Sequence, residues 1–228
     1  MKNLKTIMLA GALAVAGATA TNAQNAGYNR VAISYDNTHF GFNKDAGGSD
    51  ENFSTNGVGI NYIHGFSVSS SLPMFVETGL NFDFGFGSKS FDKHEYSGTW
   101  YQDKLKTQFI SIQVPVNFAY RFDIADEMTL SPYIGLNLKL NLTGKERWDT
   151  DSNDPDEKEK GKWASVYDKD NWDPTWNRFQ MGWHIGVGVQ YRPFYFGIQY
   201  GTDFIGAYKH KDAKVSTGNL KVSLGYCF

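Results

Sequence analysis

The chain has 228 residues, a formal net charge of −2 and a mean hydropathy of −0.44. A balance of 22 basic against 24 acidic residues is too mild to point to nucleic acid as a partner. Beyond the first 23 residues no apolar run approaches the roughly 18 needed for a spanning helix. That excludes a helical membrane protein and leaves a barrel open, because alternating faces cancel in a hydropathy average.

The amino terminus carries an export signal. Lys2 and Lys5 supply the positive start, Ile7 to Ala18 form an apolar and small-residue run, and Thr21 and Ala23 fit the small-residue cleavage pattern. Residues 1–23 are assigned as the signal peptide, with a cut after Ala20 as the alternative, and 24–228 as one domain.

Alternation of large apolar with small or polar residues then recurs in eight segments. The first sets Val31, Ile33 and Tyr35 against Ala32, Ser34 and Asp36, and the second sets Val58, Ile60, Tyr62, Phe66 and Val68 against Gly57, Gly59, Asn61, Gly65 and Ser67. The third runs from Met74 to Gly87 with Glu77 and Asp83 on its polar side. In the fourth, Ile110 to Phe122 alternate with Ser111, Gln113, Asn117, Ala119 and Arg121. The fifth, Leu130 to Leu142, carries Lys139, the sixth, Met181 to Tyr191, carries His184 and Arg192, and the seventh, Phe194 to Tyr200, carries Asp203. The last nine residues place Leu220, Val222, Leu224, Tyr226 and Phe228 opposite Lys221, Ser223, Gly225 and Cys227.

The connections alternate in length. Ser69 to Leu72, Asp123 to Glu127 and Arg192-Pro193 are tight, whereas Asn43 to Thr55, Ser88 to Lys104, Thr143 to Asn177 and Gly206 to Thr217 are long and polar. Short turns on one side and long loops on the other are the order of outer-membrane barrels, and in hydrocarbon an unpaired sheet edge is excluded, so the first strand must meet the last. The predicted fold is therefore all-β: an antiparallel up-and-down transmembrane barrel of eight strands, with ten allowed if the longest loop, 143–177, hides a hairpin. Tyr120, Phe122, Tyr191, Phe194, Tyr226 and Phe228 at one end, and Phe42, Phe84, Phe86 and Trp183 at the other, are the expected interfacial girdles.

The cleavage region Thr21, Asn22, Ala23, Gln24, the eight alternating segments and the closing Leu224, Gly225, Tyr226, Cys227, Phe228 resemble the PorT-like outer-membrane β-barrel family of Bacteroidetes, related in architecture to small OmpX and OmpA barrels. The resemblance implies residence in the bacterial outer membrane, and it implies that Tyr226 and Phe228 are the aromatic positions read by the outer-membrane assembly machinery. It is specific for class and not for role.

Candidate chemistry is sparse. Asp36, Glu77, Asp83 and Asp203 with Arg121, Lys139, Arg192 and Lys221 are expected to form a charge network filling a lumen just wide enough for side chains. Gly182, Gly186 and Gly188 lie inside one strand and cannot form a phosphate loop. Asp149, Asp151 and Asn153 begin like a calcium loop, but Asp154 stands where the turn glycine belongs and Lys160 where the bidentate Glu belongs. His39, His64, His94, His184 and His210 fall on different faces and loops, so no triad is expected. His64 falls on the lipid face, either near the periplasmic interface or turned inward by a bulge. No catalytic residue, metal or cofactor is assigned.

Trp148, Trp163, Tyr167, Trp172 and Trp176, interleaved with charge, form a candidate recognition patch in the longest loop, the alternative being rings that pack the loop or extend a hairpin. The expected role is that of a non-enzymatic structural or surface-interaction barrel. Its expected partners are outer-membrane lipid and lipopolysaccharide, the assembly machinery, and an extracellular protein or glycan. A small pore or secretion accessory, a lipid-modifying enzyme, and a soluble barrel of lipocalin type are the alternatives, the last differing in which face turns inward.

Overall fold

The computed structural model describes residues 27–42, 52–170, 176–208 and 215–228, so the assigned signal segment, His210 and Trp172 lie outside the described residues. Twelve strands make one sheet: β1 (Tyr28–Phe42), β2 (Phe53–Ser67), β3 (Met74–Ser90), β4 (His94–Tyr96), β5 (Thr99–Tyr120), β6 (Phe122–Ala125), β7 (Met128–Ser152), β8 (Glu159–Lys160), β9 (Ala164–Ser165), β10 (Phe179–Tyr191), β11 (Phe194–Asp203) and β12 (Val215–Cys227). β1, β2, β3, β5, β7, β10, β11 and β12 form an antiparallel ring of eight. Its seam is the β1–β12 pairing, in register from Arg30↔Cys227 to Phe42↔Val215, and Asn29 and Phe228 exchange backbone bonds of 2.8 and 2.9 Å below it. Every wall strand thus has two neighbours, which spares the several kcal/mol that each unpaired backbone group costs in hydrocarbon.

The faces are sorted oppositely to those of a soluble protein. Ile33 and Ile60 are each 63% exposed on the outside, whereas Glu77 is 0%, Lys221 4% and Asp36 5% exposed within. This polarity removes the lipocalin alternative, since an apolar exterior of this extent requires acyl chains around it. Small residues make room inside: a Cβ on Gly186 would overlap the Tyr133 ring, and one on Gly188 the Tyr195 ring.

The ring has the eight strands expected from the sequence, and two other expectations are corrected. The longest connection does not add wall strands, because β8 and β9 pair instead with the upper edge of β7, at Asp149↔Lys160 and Lys145↔Ser165. The connections beginning at Ser88 and Thr143 are largely strand: β5 and β7 continue past the barrel as a ribbon to Tyr101↔Ser152. On the outer face their extension carries Lys104, Lys106, Gln108, Lys145, Arg147 and Asp149, so the apolar outer row that marks the wall is missing from it. Arg192, assigned to the lumen, sits at the tight β10–β11 turn with φ of +56° and pairs in solvent with Glu127 at 2.6 Å. A side chain at the rim of the turn lies beyond the end of the enclosed space.

His64 stays on the outer face near the periplasmic end, 2.8 Å from Asn29 Oδ1 and against Phe66, and no bulge interrupts the β1–β2 register there.

Candidate functional site

The lumen is built in two charged layers. In the lower one Arg30 and Glu77, both buried, approach to 3.4 Å, and Glu77 also accepts from the Tyr28 hydroxyl and, at 2.9 Å, from Asn117 Nδ2. Because the Asn117 amide nitrogen is committed to Glu77, its oxygen must accept from His184 Nε2 at 2.6 Å, which fixes the proton of that ring on Nε2. The Arg30 guanidinium lies 4.0 Å from the Tyr195 ring centre, so its charge is paired on one side and stacked on the other.

In the upper layer Lys221 Nζ lies between Asp36 at 3.2 Å and Asp83 at 3.3 Å, and Ser34 donates to Asp36 at 2.9 Å. β1 and β12 supply this pair by register, since Asp36 is opposite Lys221. The layer separates two small spaces, about 40 Å³ above, beside Lys139, and about 30 Å³ below, beside Arg30 and Asn61. Each has room for a few waters and for no larger ligand.

Both ends are covered. At the loop end Phe40, Phe53, Ala207 and Val215 form an apolar lid, with Phe40 and Phe53 stacked at 4.7 Å and Trp176 packed on Phe40 at 5.8 Å. At the turn end Arg121 lies 4.1 Å from the Tyr28 ring and donates to Gln190 at 2.6 Å. Asp203 accepts from Thr217 at 2.6 Å near the upper rim. Of the eight charges expected inside, Asp36, Asp83 and Lys221 form one cluster, Glu77 joins Arg30 in the other, Arg121, Lys139 and Asp203 lie singly along the lumen, and Arg192 is outside it. Arg30 was not in the expected set, although it shares the phase of Ala32, Ser34 and Asp36 and could have been read from that spacing.

Above the membrane, the ribbon of β5 and β7 is turned by one bulge. Ile110 pairs with Thr143 and Ser111 with Asn141, leaving Leu142 extra, so that Leu142 and Thr143 are both exposed. Below the bulge Asn141 is buried, and above it Gly144 and Glu146 are. The extra residue therefore sends Lys145 and Arg147 outward, which an unbroken strand would have turned in. Asp149 binds Lys106 Nζ at 3.0 Å and Arg147 Nε at 2.9 Å. Partial burial raises the Asp149 carboxyl, but hydrogen bonds from Lys106 and Arg147 outweigh it and hold the group below the usual aspartate range. Burial pushes Glu146 up, and the Trp148 indole donating to it at 3.1 Å only partly offsets this.

The predicted aromatic patch is divided. Trp148 stacks on Phe91 at 5.3 Å, and Trp163 lies 5.1 Å from the Arg147 guanidinium, both with exposed surface. Tyr167 lies under Arg178 at 4.2 Å, and Trp176 belongs to the lid, so these two pack the loop onto the barrel mouth. On the outer wall His39 Nδ1 is 3.1 Å from Ser54 Oγ, yet among the described residues no carboxylate contacts that imidazole. No group of three metal-ligating side chains occurs among the described residues.

The family described as outer membrane protein beta-barrel domain matches residues 22–204. Among solved structures, Ail, the attachment invasion locus protein of Yersinia pestis, in complex with the heparin analogue sucrose octasulfate, is 15% identical with a TM-score of 0.39, over 90% of this chain and 100% of that one. Neisserial surface protein A is 15% identical with a TM-score of 0.39, over 87% and 97%. The outer membrane enzyme PagL is 8% identical with a TM-score of 0.39, over 86% and 98%. No curated protein matches the sequence.

Proposed function

Because the chain belongs to the outer membrane protein beta-barrel domain family and is a protein of the bacterial outer membrane, we propose that it is a non-enzymatic, non-conducting barrel that acts through the sheet it raises above the bilayer. The filled lumen carries this reading: among the described residues, two layers of buried ion pairs and an apolar lid surround spaces of about 40 and 30 Å³. A channel would need an open path, and opening one here would require the Arg30–Glu77 pair or the Asp36–Lys221–Asp83 cluster to come apart inside the barrel, where an unpaired charge is costly.

Long strands that continue into an ordered, edge-covered ribbon are the feature not needed for spanning. The proposed contact surface is the ribbon face that carries Trp148, with Trp163 on the opposite face beside Arg147, and an extracellular protein or glycan is the proposed partner class. The terminal Leu224 to Phe228 support the finer placement among PorT-like members, with Tyr226 and Phe228, both exposed, as the proposed assembly signal.

Planar-bilayer recording of the refolded protein tests the closed lumen. The expected trace is silent apart from rare, brief events, and large, steady single-channel steps would overturn the reading.

A further inference from the structure

The ribbon has two dissimilar faces, and the outer one continues the lipid-facing wall. Cross-strand partners share a face, so the registers Gln108↔Lys145, Lys106↔Arg147, Lys104↔Asp149 and Asp149↔Lys160 put Lys104, Lys106, Lys145, Arg147 and Lys160 together with Asp149. The chain as a whole is acidic, with a net charge of −2, while this face carries those five cations and Lys158 against two carboxylates, Asp149 and Asp151, the latter opposite Gln102 and held by Lys158 at 3.1 Å. We propose that it is a docking surface for the phosphate-bearing headgroups of outer-leaflet lipid.

Height above the membrane favours lipid over a soluble anion. Lys145 stands three residues beyond Leu142, the last apolar side chain of the outer wall on β7. That is about 10 Å along the strand, and less in height because wall strands tilt. The headgroup layer occupies roughly 5–8 Å outside the hydrocarbon. Lysine stems can lie down along the wall and set their ammonium groups in that layer.

The arrangement is also built in advance of a ligand. Asp149 clamps Lys106 and Arg147 in place, while Lys104, Lys145 and Lys160 are exposed and carry no ion pair among the described residues. Trp163, beside Arg147, adds an amphipathic ring of the kind favoured at membrane interfaces. The Leu142 bulge is what turns Lys145 and Arg147 to this side. The inference rests on the outer-membrane placement and not on the closed lumen, so a conductance result leaves it untouched.

The test uses the full mature chain in neutral detergent, with retention of lipid A bearing both phosphates compared with lipid A bearing none, counted by native mass spectrometry. The phosphorylated form should be retained and the other lost. At about fivefold for each cation near a charged surface, Lys104→Gln with Lys145→Gln should weaken retention about 30-fold. Lys89→Gln with Arg192→Gln, which removes the same charge from the inner face and the turn end, should leave it unchanged. Equal retention of the two lipids, parent-like affinity in the Lys104 and Lys145 variant, or displacement by equimolar inorganic phosphate would overturn the proposal. Should that variant not fold, a salt series on the parent decides, since binding indifferent to ionic strength is incompatible with a phosphate contact.

Discussion

At the scale of single residues, Glu77 is the most exacting position. It is fully buried and receives Arg30, Tyr28 and Asn117, so it holds the lower layer together. Glu77→Ala leaves the Arg30 guanidinium buried without its counter-charge, for which the expected cost is about 3–5 kcal/mol of unfolding free energy. Adding Arg30→Met should recover much of that loss, because the pair contributes little beyond cancelling its own desolvation. Urea titration in lipid vesicles reads both, and equal destabilisation in the single and double variants would show that charge pairing is not the cause. Most luminal charges were legible in the sequence because a strand has a period of two and any charge in phase with Ser34 or Asn61 must face in. Arg192 was misread for the same reason, since periodicity continues on paper after the strand has stopped. Phe40 and Phe53 also escaped notice as a lid, because an apolar residue on the inner phase is meaningful only once the neighbouring strand is known.

At the scale of elements, wall and ribbon differ in what holds them. The wall is fixed by lipid on one side and was read from its apolar rows, while the ribbon has only side-chain pairs and an edge cover. β8 and β9 protect the upper edge of β7, which stands free once β10 begins at Phe179↔Leu140. Ion-pair and burial effects in this region give its stability two opposed dependences on pH. Asp149 has a folded-state affinity for protons below that of the unfolded chain, so its contribution is full above the ordinary aspartate range and is lost as pH falls through and below it. Glu146 is raised, so folding favours its protonated form and stability declines as pH climbs from the ordinary glutamate value through the raised one. Amide protection factors in β8 and β9, taken relative to the intrinsic exchange rate at each pH, should accordingly be highest under mildly acidic conditions. Asp149→Asn should abolish the acid limb and Glu146→Gln the alkaline limb, and a profile with neither limb would contradict the assignment of both groups. The bulge at Leu142 was beyond sequence reading: one extra residue changes which side chains face the membrane without leaving a mark in composition.

At the scale of the whole molecule, the inside-out sorting makes a prediction that separates a membrane barrel from any soluble one with the same strands. Ile60 is 63% exposed and sits in mid-wall, between Ile33 on β1 and Phe82 on β3. On a soluble protein a substitution at so exposed a site would change stability by no more than about 0.5 kcal/mol. Here the same surface is solvated by acyl chains, and a guanidinium at mid-depth must be drawn into hydrocarbon or pull water and headgroups toward it. Ile60→Arg should therefore cost about 2–4 kcal/mol in a bilayer. In detergent micelles, which deform around a charge more readily than a bilayer, the penalty should shrink. Moving the same substitution to Tyr62, one step nearer the turn end on the same face, should reduce it as well, because the cost falls toward the interface. Reversible urea titration in vesicles and in micelles gives the comparison. A neutral Ile60→Arg in vesicles would mean that the exposed rows do not face lipid, and the closed wall, the filled lumen and the raised ribbon would all need another solvent to explain them.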